Sequence, residues 1–283
     1  MKGQKLKSSS RFGKGIYLLP NLFTTAGFFA GFFAIVAAMN SRFEAAAVAI
    51  FVAMIMDGID GRVARLTNTQ SAFGAEYDSM ADLVSFGVAP ALMVYTWALK
   101  DLGNFGWLAS FVFAVAAALR LARFNTQVAT ADKRYFQGLA SPAAAAVIAG
   151  MIWTATEYGI SADSWNIVVA VVTITTGILM VSNFRYYSFK ELNWKGRVPF
   201  ITILLIVVIF VTVAHDPPIV LFGAFALYAF SGPVVTIKEI SNMRRRRGGV
   251  ANEVDVNDTT NQDRQLSEQD IQEEKRDEAN ING

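Results

Sequence analysis

FEAAAVAIFVAMIMDGIDGRVARLTNTQSAFGAEYDSMADLVSFGVAPALMVYTWAL, residues 43–99, is two apolar runs joined by a short polar turn. Four aspartates, Asp57, Asp60, Asp78 and Asp82, flank that turn. Asp57 and Asp60 are spaced i, i+3, and Asp78 and Asp82 are spaced i, i+4. On helices, both spacings put the pair on one face. Two antiparallel helices with a short connection therefore bring four carboxylates to one end of a helix bundle.

Outward from this stretch the chain stays apolar. Of its 283 residues, 53% are hydrophobic and 17% charged, against about 25% charged in a soluble domain. Long apolar runs fill residues 16–240, enough for several spans of roughly 20 residues each. The pattern predicts an all-α, polytopic membrane bundle of about eight transmembrane helices, near 16–39, 43–64, 79–99, 104–123, 142–158, 165–182, 198–214 and 217–237. Three regions follow: a basic N-terminus (1–15), a membrane domain (16–240) and a polar tail (241–283). The basic start followed by an apolar run superficially resembles a signal peptide. The run from Ile16 to Met39 is too long for that, and it is read as a retained first span.

Sidedness follows from the basic residues. With the N-terminus in the cytoplasm and eight spans, both termini are cytoplasmic. Of the 25 Lys and Arg residues, only Arg42 and Lys100 then fall in outer loops. The polar inner loops, and any chemistry, face the cytoplasm. The tail is too polar to bury a core and reads as disordered. Its Arg244–Arg247 run suits anionic membrane lipids, and no nucleic-acid role is expected.

There is no cysteine and one histidine, His215, read as a loop residue at a span end. Disulfides and zinc–thiolate sites are excluded. Carboxylates must carry any acid–base or metal work. Ionised groups in a membrane bundle are paired or functional. Asp57 or Asp60 paired with Arg62 or Arg65 would be an ordinary interfacial arrangement. Four carboxylates together call instead for hard divalent cations such as Mg²⁺ or Mn²⁺. Two such ions about 4 Å apart can clamp a phosphoryl group. Gly58, Gly61 and Gly74 admit a bulky ligand to the backbone, and Arg62 and Arg65 suit phosphate oxygens.

The full pattern, Asp-x2-Asp-Gly-x2-Ala-Arg-x8-Gly-x3-Asp-x3-Asp, resembles the signature of the CDP-alcohol phosphatidyltransferase family at every fixed position from Asp57 to Asp82. The resemblance implies that Asp57, Asp60, Asp78 and Asp82 bind two divalent ions, and that Asp82 is the base that deprotonates the acceptor alcohol. It implies donor contacts at Gly61, Arg65, Ser71 and Gly74, and at Pro20, Asn21, Leu22 and Phe23 in the first span.

Four further stretches resemble the bacterial, membrane-integral branch of that family that uses serine. They are Ser85–Ala91, Arg120–Asn125, Gly138–Ala143 and Val181–Lys190. Ala140 departs from the branch pattern, which has proline there. The resemblance covers roughly residues 15–240 and implies transfer of a phosphatidyl group from CDP-diacylglycerol to L-serine, in the inner (cytoplasmic) membrane, by a homodimer. Arg120, Arg123, Asn125 and Arg185 lie at cytoplasmic span ends, where a serine carboxylate would dock; positive-inside anchoring explains the arginines equally well. Glycerol 3-phosphate, inositol phosphate or choline as acceptor would use the same chemistry. An ion-coupled transporter would favour carboxylates near the bilayer midplane. A membrane scaffold whose tail recruits partners is the remaining reading.

Overall fold

The computed structural model describes residues 18–127, 135–187 and 200–237. The basic N-terminus at 1–15 and the tail from 241 lie outside them. The chain divides into two units, Met1–Pro233 and Val234–Gly283.

The described residues are helical apart from one small ribbon. The helices are α1 (Leu18–Met39), α2 (Phe43–Leu66), α3 (Ala72–Leu102), α4 (Asn104–Gln127), α5 (Ser141–Glu157), α6 (Asn166–Val181), α7 (Phe200–His215) and α8 (Pro217–Ile237). Each coincides with one apolar segment read from the sequence. Four of them, α1, α3, α4 and α8, are long and apolar enough to cross a membrane by length and composition.

Packing follows small residues. Along the α1–α2 contact, Ala30, Ala34, Ala37 and Ala38 meet Ala46, Ala47, Ala49 and Ala53, all buried. Helix α5 adds Ala143–Ala146 and Ala149. Alanines let backbones approach closely where lipid leaves no hydrophobic drive between helices. The large apolar residues point the other way: Phe29 is 69% exposed, Phe210 72% and Leu227 75%. Such an outer surface suits acyl chains rather than water.

Two features were not visible in the hydropathy. Helix α3 starts at Ala72, well before the apolar segment at 79, because Ser71 caps it: the Gly74 N–H donates to Ser71 Oγ at 3.0 Å. Its 31 residues exceed a bilayer core by about ten. The extra turns are those that carry Asp78 and lead into Asp82. Immediately after Asp82 the helix widens into a π-helical stretch, Leu83–Val88, closed by the Ala89 N–H donating to Val84 O. Such bulges re-aim side chains and gather at functional sites. This one turns Ser85 onto α1, where its hydroxyl donates to Gly27 O at 3.2 Å.

The second feature is a short antiparallel ribbon, β1 (Tyr135–Gln137) with β2 (Arg185–Tyr187), set in the loops of an otherwise all-α fold. Three-residue strands in polar loops carry no readable alternation.

Candidate active site

Helix α2 delivers Asp57 and Asp60, and α3 delivers Asp78. Each offers a carboxylate oxygen within 4.8 Å of the others. Asp82, one turn further along α3, lines the same small void with Thr24, Gly27, Ser85 and Phe86. The two pairs predicted from spacing are thus brought together. Charges this close repel by roughly 3 kcal/mol per pair at a protein-like dielectric. Asp60 is buried, and Thr24 Oγ1 donates to its Oδ2 at 2.8 Å. Arg62 and Arg65 stand exposed, so a hydroxyl rather than an arginine orients this carboxylate. The donors are hard oxygens, and the void of about 10 Å³ is what one water-sized body needs. The residues fit a small divalent cation.

The predicted donor contacts surround this cluster unevenly. A Cβ on Gly74 would lie 3.1 Å from Ser71 Oγ and 3.4 Å from Asn21 Oδ1. Asn21, Ser71 and Gly74 therefore form one small polar patch where α1 meets the start of α3. The Arg65 guanidinium folds back over Gly61, 3.8 Å from the position of a Cβ there. Pro20 is buried, Phe23 is half-buried, and Leu22 is 63% exposed on the lipid side.

The four candidates for holding serine separate sharply. Arg120, on α4, is mostly buried. Its Nη1 donates to Ser141 Oγ at 3.1 Å, and its buried Nε has no hydrogen-bond partner among the described residues. Its charge is within electrostatic reach of Asp82. A buried donor without an acceptor requires an explanation, and a bound anion supplies one. Arg123 instead donates to Val181 O at 3.1 Å and to Asn183 Oδ1 at 3.0 Å, bracing α4 against the end of α6. Asn125 Nδ2 donates to Ser79 Oγ at 3.0 Å, tying α4 to the turn between Asp78 and Asp82. Arg185 lies in β2, opposite Gln137; its side chain is outside the described residues.

Thr24 and Tyr77 were not singled out by sequence reasoning, and Ser85 and Ser141 entered only as members of the Ser85–Ala91 and Gly138–Ala143 stretches. Tyr77 shares a 2.9 Å hydrogen bond with Thr25, fixing α3 to α1 beside the aspartates. Thr24 is 36 residues from Asp60. No local spacing announces such a pair. Only its place directly after the Pro20–Phe23 stretch was a signal.

Clustered aspartates on adjacent helices, with a half-buried arginine within electrostatic reach, mark a class of site. A sequence model of the CDP-alcohol phosphatidyltransferases matches residues 17–176, and the chain belongs to that family. Among similar proteins is a Helicobacter pylori CDP-diacylglycerol–serine O-phosphatidyltransferase, 38% identical over 196 residues, which are 69% of this chain and 83% of the relative. The Bacillus subtilis protein of the same name is 33% identical over 174 residues, 61% of this chain and 92% of that one. The Mycobacterium tuberculosis protein of that name is 40% identical over 159 residues, 54% and 55% of the two chains.

Proposed function

We propose that this protein transfers the phosphatidyl group of CDP-diacylglycerol to the hydroxyl of L-serine, giving phosphatidylserine and CMP. The observation that carries the reading is the half-buried Arg120, whose buried Nε has no partner among the described residues and whose charge lies within electrostatic reach of Asp82. It is a ready anchor for an acceptor carboxylate beside a candidate base. The names of the similar proteins point the same way.

Asp57, Asp60, Asp78 and Asp82 would hold two divalent ions, Mg²⁺ or Mn²⁺, which when bound neutralise the donor diphosphate and polarise its phosphorus. Thr24 keeps Asp60 in its orientation. Asp82 takes the proton of the serine hydroxyl. The freed oxygen attacks the phosphorus that bears diacylglycerol, and the bond to the CMP oxygen breaks. Arg65, Ser71, Gly74 and Asn21 hold the nucleotide end of the donor. Catalysis rests mainly on positioning and charge. The diacylglycerol chains stay in lipid, and a homodimer with eight spans per chain, both termini cytoplasmic, sits in the inner membrane with this site facing the cytoplasm.

The test is purified protein with CDP-diacylglycerol, Mn²⁺ or Mg²⁺, and each alcohol in turn. CMP release with serine alone is expected. Release with glycerol 3-phosphate, inositol phosphate or choline but not serine would overturn the acceptor assignment.

A further inference from the structure

We infer that Tyr186 is a positioning residue for the acceptor side of the site, acting through α8 on Arg120. The inference rests on the proposed function and deepens it.

Tyr186 comes from the three-residue strand β2, yet it is the largest fully buried side chain among the described residues. A tyrosine is buried this way only when its hydroxyl finds a partner. Here the O–H donates to Ala229 O, on α8, at 2.9 Å. The reason that carbonyl is available lies four residues on. In an α-helix the Ala229 carbonyl would accept from the N–H of residue 233. That residue is Pro233, which has no N–H. Tyr186 supplies the missing donor. The neighbouring position is shaped for it: a Cβ on Gly232 would fall 2.3 Å from Tyr186 Cζ, so only glycine admits the ring. The ribbon thus plugs α8 at a break that the sequence Ala229–Pro233 creates.

What this break controls is Tyr228. Its ring packs on Tyr186 with centroids 5.5 Å apart, tilted by 48°. Tyr228 also lies within electrostatic reach of Arg120, as Asp82 does. Hydrogen bond and ring contact tie the ribbon's Tyr186 to the α8 backbone and Tyr228, and Tyr228 lies within electrostatic reach of Arg120, whose Nε has no acceptor among the described residues. Arg120 is the acceptor anchor of the proposed function, so a device that bears on it tunes the acceptor rather than the donor or metal.

The experiment compares wild type, Tyr186→Phe, Pro233→Ala and the double variant. Steady-state CMP release is measured with CDP-diacylglycerol and the acceptor varied separately, alongside thermal midpoints in detergent. Tyr186→Phe keeps the ring and removes one hydrogen bond. It should raise the acceptor KM about fivefold, the factor attached to one neutral hydrogen bond, with donor KM unchanged and the thermal midpoint lowered by the few degrees that loss of one buried hydrogen bond entails. Pro233→Ala restores an N–H for the Ala229 carbonyl, so it should leave the acceptor KM alone and return it toward wild type in the double variant. An unchanged acceptor KM in Tyr186→Phe, a parallel loss of donor affinity, or no rescue by Pro233→Ala would each overturn the inference. If wild type turns over a different alcohol, the serine assignment fails, and the same comparison is made with that alcohol.

Discussion

Replacing Gly31 with alanine isolates one contact on which the site depends. Helix α1 and the π-helical stretch of α3 touch there. An added Cβ would lie 2.3 Å from Ser85 Oγ, 2.7 Å from Ser85 Cα and 2.8 Å from Ser85 Cβ. The hydroxyl could rotate away, but the Cα cannot. Carbon contacts are comfortable near 3.5 Å, so the two backbones must part by roughly 0.8 Å. Overpacking of this kind costs about 1–3 kcal/mol. Loss of the bond from Ser85 to Gly27 O adds about 1 kcal/mol. The expected destabilisation is therefore about 2–4 kcal/mol. Thr24 lies two turns away on the same helix and orients Asp60, and Ser85 follows Asp82 by three residues. A shift approaching 1 Å can cost about 100-fold in turnover, so CMP release should fall roughly 10- to 100-fold. The assay is thermal unfolding in detergent with CMP release on the same preparation. Gly223→Ala, where no described residue lies within 4 Å of the added carbon, is the control. It should be neutral or stabilising by up to about 1 kcal/mol from helix propensity. Equal stability and turnover for Gly31→Ala and wild type would refute the close approach, and with it the account of how α1 is fixed to the site.

Other outcomes follow from the same geometry. Thr24→Val should weaken Mn²⁺ binding, read by electron paramagnetic resonance, by about 10- to 100-fold, as expected for losing a partner of a ligating carboxylate; Thr24→Ser should bind nearly as wild type. Asp82→Asn should abolish CMP release with the thermal midpoint retained, and near-normal turnover would remove Asp82 as the base. EDTA should stop the reaction, and Mg²⁺ or Mn²⁺ should restore it. The chain has no cysteine, so single cysteines report sidedness cleanly. A membrane-impermeant maleimide should label Ser41→Cys from the outer face and Asn68→Cys only after permeabilisation; the reverse would invert the topology.

Much of this molecule was legible along the chain, and for identifiable reasons. Apolar runs of span length needed no partner to be recognised, because lipid selects them one at a time. The aspartate pairs were legible because i, i+3 and i, i+4 neighbours share a face on any helix. The start of α3 was missed because a Ser71 cap, not hydropathy, begins it. The separation of Arg120 from Arg123 was also out of reach. Both sit at one helix end with the same charge. Only the fold shows that Arg123 spends its N–H groups on Val181 and Asn183 while Arg120 keeps a buried one without a partner among the described residues.

By itself the sequence determined that the chain is an apolar helix bundle and that four aspartates meet at one end of two consecutive helices. Both follow from short-range periodicity and from the energy of apolar groups and charges in lipid. Only the tertiary structure decided which groups serve those aspartates: Thr24 on Asp60, Ser85 on α1, Arg120 facing Asp82, and Tyr186 closing the gap that Pro233 leaves in α8. These partners lie tens of residues apart, and no periodicity relates them; helix packing alone brings them within hydrogen-bond or electrostatic reach.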